Sequence, residues 1–422
     1  MRELTMSRQE ATKAKRTAAS SIAVPRIRFK GCEGEWERHA LSEYFTLRNE
    51  SNESGEVKEI LSVLKDVGVI LYSEKGNIGN RAKDDVTHYK IAHKGDIVLN
   101  SMNVIIGSVG VSHYDGCISP AYYALAPKTN CYPEYFGYWF WRKETQKVLA
   151  AQACGMMEIR RKISERDLLA ISRPMPPLLE QKLIGKCLLS IDHLLRNSLA
   201  HLSSLRQLKR SMLVKMFPRP GQCVPEIRFK GFEGEWKSIP LSEIAVKVTE
   251  KNVACEHAEV FTNSAEQGVV SQRDYFDFAV AKNLGGYYVV RPRDFVYNPR
   301  ISNEAPVGPI NINALNRVGV MSPLYFVFRT HDVDTSYLQV FFKTRCWHPF
   351  MYFNGDSGAR SDRFSIKNDV FMRMPISKPK DVVEQQKIGA FFKNLDSLIA
   401  VAEKRVAKLR QVKASLLERM FV

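Results

Sequence analysis

Two long stretches of the chain carry apolar residues at alternating spacings of four and three. In 179–216, which has no proline and only Gly185 as glycine, the seam runs Ile184, Leu188, Ile191, Leu195, Ser198, Leu202, Leu205, Lys209, Met212, Met216. In 383–422 it runs Ile388, Phe392, Leu395, Ile399, Ala402, Val406, Leu409, Lys413, Leu416, Met420. A 3.5-residue period held this long predicts helices of the coiled-coil type, each about 55 Å long at 1.5 Å per residue. One apolar seam on so long a rod needs a cover. Each seam either packs on its own globular domain or meets the other seam. The second choice is favoured, because both seams carry a small residue at the fifth position (Ser198, Ala402) and a lysine at the eighth (Lys209, Lys413). An antiparallel pair keeps the two lysines near opposite ends, whereas a parallel pair in register sets like charges side by side. Pro218, Pro220 and Gly221 then stop the first helix.

Ahead of each helix the pattern changes. Val, Ile, Tyr and Phe cluster in short runs broken by Gly, Pro and Asn, which predicts strands and turns at 96–100, 122–126, 287–290 and 324–328. The run Tyr138, Trp139, Phe140, Trp141 predicts a buried amphipathic helix.

The two halves are copies. Residues 24–43 (VPRIRFKGCEGEWERHALSE) and 224–243 (VPEIRFKGFEGEWKSIPLSE) align without a gap. Gly95-Asp96 answers to Arg293-Asp294, and Ser119-Pro120 with Tyr122 to Ser322-Pro323 with Tyr325. At the far ends Glu180-Gln181 matches Glu384-Gln385, Asp192 matches Asp396, and Met216-Phe217 matches Met420-Phe421. A repeat of this kind decides the architecture. Each copy has constant ends and a divergent middle, which suits a fixed frame holding a changeable surface. Trp36 and Trp236 belong to the constant part and are expected as core anchors rather than stacking platforms.

The expected fold class is α+β: two β-rich domains with pseudo-two-fold symmetry, separated by two long helices in an antiparallel coiled coil. The expected boundaries are a basic extension 1–23, a first domain 24–178, a first helix 179–217, a linker 218–223, a second domain 224–382 and a second helix 383–422. The extension is either an arm that touches phosphate or a plain leader.

Charge narrows the partners. The formal net charge is +17 over 422 residues, which favours a polyanion, nucleic acid first. No apolar run is long enough to span a bilayer, and no secretory pattern stands at the start. The eight cysteines are scattered without a CxxC, as expected of reduced thiols in a cytoplasmic protein.

Catalytic motifs are missing. Asn298-Pro299-Arg300 is the nearest approach to an amino-methyltransferase motif, but it lacks the second proline and the aromatic residue, and is expected to be a turn. There is no phosphate-binding GxxxxGK[ST] loop, no spaced histidine ligand set and no metal centre to propose. What remains are loops suited to reading bases and phosphates. They hold Lys75, Asn77, Asn80 and Arg81, then Arg160, Arg161 and Lys162, and in the second copy Arg360 and Arg363. The two late loops lie at comparable distances before the terminal helices and differ in sequence.

The IRFKG-x-EGEW opening, the variable β-rich middle, the prolines before Glu-Gln (Pro174, Pro176, Pro177) and the Ile-Gly…Asp…Met-Phe helix, all doubled, resemble the specificity (S) subunit of type I restriction–modification systems over about 24–421. The resemblance implies a non-catalytic chain in which each domain reads one half of a bipartite site in double-stranded DNA. It implies two methyltransferase subunits docked on the helices, and restriction/motor subunits that join them. S-adenosylmethionine, ATP and Mg would belong to those partners, none to this chain. Two other readings remain open: a self-sufficient DNA-modifying enzyme, and an architectural coiled-coil protein that binds DNA without sequence preference.

Overall fold

The computed structural model describes residues 23–65, 67–75, 85–103, 106–153, 162–276, 283–357 and 362–422. All but the last residue of the expected extension lies outside them. The chain forms two compact units, one ending at Leu199 and completed by Arg405–Val422, the other Ala200–Lys404.

In the first unit the repeat's opening is tied to the chain just before the long helix. Strand β1 (Glu37–Ala40) runs antiparallel to β10 (Ser172–Met175). Arg28 forks onto Glu180 in the first turn of the first long helix (Leu178–Lys215), Nε to Oε1 and Nη2 to Oε2, both at 2.7 Å. Its remaining Nη1 donates to the Gly34 carbonyl at 2.5 Å, and Trp36 Nε1 donates to Glu180 Oε2 at 3.1 Å. The carboxylate is almost fully buried, and its hydrogen bonds with Arg28 push the guanidinium pKa further up. Gln181 fastens the next piece: its side-chain oxygen accepts from Tyr132 N at 3.0 Å, and its Nε2 donates to Pro176 O at 3.0 Å.

The second unit repeats the strand pair, the arginine fork and the glutamine, but Trp236 Nε1 has no hydrogen-bond partner among the described residues. Strand β11 (Lys237–Pro240) pairs with β20 (Pro375–Lys378), and Arg228 forks onto Glu384 at 2.7 and 2.8 Å. Gln385 accepts from Asp334 N and donates to Pro379 O, both at 2.9 Å. Trp36 and Trp236 are both buried, as core anchors should be.

Between the fastened ends lies a small antiparallel sheet of order β2-β9-β6-β7, from Phe45–Arg48, Tyr122–Pro127, Ile97–Asn100 and Val109–Val111. Hairpin β3-β4 (Leu61–Leu64, Gly68–Leu71) and pair β5-β8 (Lys90–Ala92, Gly116–Ile118) accompany it. Successive side chains leave opposite faces of a strand. On β6, Ile97 and Leu99 therefore enter a core shared with the helix Pro133–Trp141, while Val98 enters a second core with Leu61, Val63 and Val69. Both faces are covered, which is why this strand shows no polar alternation.

The second unit has the same order, β12-β19-β16-β17, from Ala245–Lys247, Phe326–Thr330, Phe295–Tyr297 and Ile310–Ile312. Here β13-β14 (Phe261–Ser264, Gly268–Ser271) and β15-β18 (Tyr288–Val290, Gly319–Met321) fill the accompanying roles. One buried carboxylate recurs before the central strand, but its arginine changes strands. Asp96 takes Arg48 from β2 at 2.7 Å, whereas Asp294 takes Arg329 from β19 at 2.8 Å. The carboxylate must be paired once buried; which strand supplies the charge is free.

The long helices are Leu178–Lys215 and Val382–Arg419, 38 residues each, or about 57 Å at 1.5 Å per residue. Their first seam residues correct the expectation that seam meets only seam. Ile184 and Leu188 are buried in the first domain's own core with Tyr135 and Phe136, and Ile388 and Phe392 in the second's with Phe341 and Leu338. Gly185 explains the closeness: a Cβ there would stand 2.7 Å from the Tyr132 ring. The end of the other helix joins each core, through Leu416, Met420 and Phe421 in the first unit and Met212, Met216 and Phe217 in the second. Of the remaining seam positions, Leu202, Leu395 and Val406 are buried, and Ile191, Leu195, Leu205, Ile399 and Leu409 are half-buried.

Within each unit the two helices run antiparallel, since residues early in one meet residues late in the other. The seam lysines are not merely kept apart. Lys413 bonds Asp192 at 2.6 Å in the first unit, and Lys209 bonds Asp396 at 2.5 Å in the second. The aspartates that match in the repeat are thus the partners of the lysines that match.

The two pairs differ in setting. Asp192 also accepts from the Tyr138 hydroxyl at 2.6 Å, and Lys413 lies over the rings of Tyr138 and Trp141. The Lys209–Asp396 pair is more exposed, with Asp396 at 56% against 18% for Asp192. Asp192→Ala should therefore cost about 1–3 kcal/mol and Asp396→Ala under about 1 kcal/mol in denaturant unfolding. Glu180→Ala, which strands a mostly buried guanidinium, should cost about 3–5 kcal/mol, and Arg28→Met with Glu180→Leu should recover most of it; a double variant as unstable as the single would refute the clamp.

Candidate nucleic-acid interface

The end of the sheet away from the Asp96 turn carries a polar trio in each unit. Ser62 on β3, Asn100 at the end of β6 and Tyr122 at the start of β9 meet in the first; Asn100 and Tyr122 are register partners. Burial pushes the Tyr122 phenol pKa up, and hydrogen bonds with Ser62 and Asn100 oppose that rise. In the second unit the trio is Thr262, Asn298 and Tyr325, with the Thr262 and Tyr325 hydroxyls 3.0 Å apart. Asn298 donates to Asn263 O at 2.8 Å and accepts from Arg300 N at 3.0 Å. Asn298-Pro299-Arg300 is therefore an Asx-type turn, as the sequence suggested, with its amide committed to structure.

This turn forms one wall of a cleft of about 610 Å³ lined by Asn263, Tyr275, Phe276, Arg300, Asn303 and Tyr325, among others. Tyr325 also borders a hollow of about 290 Å³ with Lys247, Tyr288, Leu324 and Arg363. Tyr275 and Phe276 meet edge to face at 4.8 Å between ring centroids, and both are exposed. Three other arginines of the second unit are spoken for: Arg291 by Glu250, Arg317 by Glu259 and Arg329 by Asp294. The guanidinium groups of Arg300 and Arg363 have no hydrogen-bond or ion partner among the described residues.

The structure places two of the candidate readers at one equivalent point. Ile163 N donates to Ser101 O in the first unit, and Phe364 N donates to Pro299 O in the second. Lys162 and Arg363 directly precede those donors, so both cations occupy the same site beside the trio. Lys162 Nζ stands 5.9 Å from the Tyr123 ring centroid. Arg363 shares an isolated backbone bridge with Arg300. By the same succession Met102 stands where the second unit has Arg300. Lys75 closes the short turn Tyr72–Lys75. Asn77, Asn80, Arg81, Arg160, Arg161 and Arg360 lie outside the described residues. Tyr275 and Asn303 carried no signal in the sequence, and Arg300 was singled out only as part of a turn. The matched Asn100/Asn298 and Tyr122/Tyr325 were available as a signal, but only as strand landmarks.

Among the described residues no helix is long and apolar enough to cross a membrane. No protein-family model and no curated protein matches the chain. Solved structures do. The type I restriction–modification S subunit of M. genitalium superposes with a TM-score of 0.56 at 14% identity, covering 94% of this chain and 99% of that one. The HsdS subunit of Thermoanaerobacter tengcongensis gives 0.45 at 17%, covering 92% and 96%. A chain from a structural study of assembly and conformational transition in the type I R-M system gives 0.47 at 16%, covering 93% and 99%. In its doubled β-rich domains and paired long helices, this chain has the fold of the S subunit of a type I restriction–modification system.

Proposed function

We propose that the chain is the sequence-reading, non-catalytic subunit of a type I restriction–modification complex. The observation that carries this reading is the whole-length likeness to the M. genitalium S subunit. A doubled frame with divergent middles and a net charge of +17 agree with it. Each β-rich domain reads one half of a bipartite site in duplex DNA, with Lys162 and Arg363 at equivalent places on the reading faces. The other loop cations and amides named from the sequence serve as further contacts. The long helices dock two methyltransferase subunits, and restriction/motor subunits join that assembly. Adenine methylation with S-adenosylmethionine, and ATP- and Mg-dependent cleavage, take place on those partners in the cytoplasm.

Mapping methylated adenines genome-wide with and without this chain should show one split motif that disappears with it. Exchanging residues 44–173 for the corresponding middle of another S subunit should change one half of the motif and leave the other. Methyl transfer or DNA cleavage by the isolated chain would show instead a self-sufficient enzyme, and displacement from target by random duplex at equal concentration would show an architectural binder.

A further inference from the structure

The cleft in the second unit has a chemistry of its own. Its floor includes Asn298 and Tyr325, which match Asn100 and Tyr122 of the first unit, so these two residues cannot distinguish the two half-sites. Its walls differ. Position 300 holds an arginine where the first unit has Met102, and Asn303 and Glu304 follow it on the same exposed segment. An arginine fork matches the O6 and N7 of guanine in the major groove, and a carboxylate can accept from the cytosine amino group across the same pair. An arginine already bound to a carboxylate would have to surrender that partner first. Arg291, Arg317 and Arg329 are in that position, whereas Arg300 has no carboxylate partner among the described residues. Its backbone is held on both sides, by the Asn298 side chain and by the Asp362 carbonyl, which accepts from Ile301 N at 3.0 Å. The side chain is thus presented from a fixed stem, which lowers the ordering cost of a specific contact.

Resting on the function proposed above, we infer that Arg300 is a specificity-determining residue of the second domain, reading the guanine of a G·C pair, with Glu304 facing the paired cytosine. Met102 at the equivalent place presents only an apolar thioether, so the first domain has no arginine reading from that place. Asn298 and Tyr325 are positioning residues beneath the contact, and Asp362 and Phe364, on either side of Arg363, hold the adjoining backbone.

The test selects binders from a randomised duplex library with the full-length chain and sequences them, for wild type, Arg300→Ala and Arg300→Met. Wild type should show a bipartite preference that includes a G·C pair in one half-site. Both variants should lose discrimination at that single base pair by about tenfold to a hundredfold, while every other position keeps its preference. Because Arg300 is exposed, the thermal midpoint should not change. Uniform weakening across all sequences with a shallower salt dependence would make Arg300 a phosphate contact and overturn the inference, as would an unchanged preference. A wild-type chain with no sequence preference would overturn the functional reading as well, an outcome separate from a preference that merely survives the substitution.

Discussion

A buried carboxylate in the first turn of each long helix is the point from which the molecule is organised. Glu180 and Glu384 are almost out of contact with water, and each is held by both arms of an arginine that comes from about 150 residues earlier in the chain. Burying one charge without the other would cost several kcal/mol, so opening and helix are obliged to meet. The neighbouring glutamine completes the arrangement by occupying the backbone groups of the segment that leads in. The carboxylate also lies near the positive end of the helix dipole, which favours it there.

This clamp explains why the repeat has constant ends and a free middle. The residues that meet at the clamp answer to one another and cannot vary singly. The loops that hang from the sheet differ between the copies. Asp96 and Asp294 show the boundary between the two regimes: the carboxylate recurs, yet its arginine sits on β2 in one copy and on β19 in the other. The same freedom lets Met102 in one copy become Arg300 in the other above a matched asparagine and tyrosine. A changeable surface on an unchanging frame suits the proposed reading of two different half-sites.

The long helices were legible because a seam of period 3.5 is a one-dimensional signal. Their direction was legible too, through the placement of Lys209 and Lys413. What the seam could not reveal was its cover. Ile184 and Leu188 look like any other seam residues, yet they pack on the domain's own aromatic helix. Gly185, conspicuous in the sequence, was the mark of that contact, because only a residue without Cβ admits Tyr132 so close. The lysines' partners, Asp192 and Asp396, were visible as matched positions but not as matched charges.

From sequence alone came the duplication, the two rods and their antiparallel sense, and the buried role of the tryptophans, since each is written as a periodicity or as identity between copies. Only the tertiary structure decided which residues share a site. Arg300, Asn303, Tyr275 and Tyr325 are spread over fifty positions and converge because the sheet of order β12-β19-β16-β17 and the hairpin β13-β14 with the short helix Gln272–Phe276 bring distant segments together. Spacing along a chain records local geometry, whereas a cleft made from strand ends depends on registers set by contacts far away in sequence.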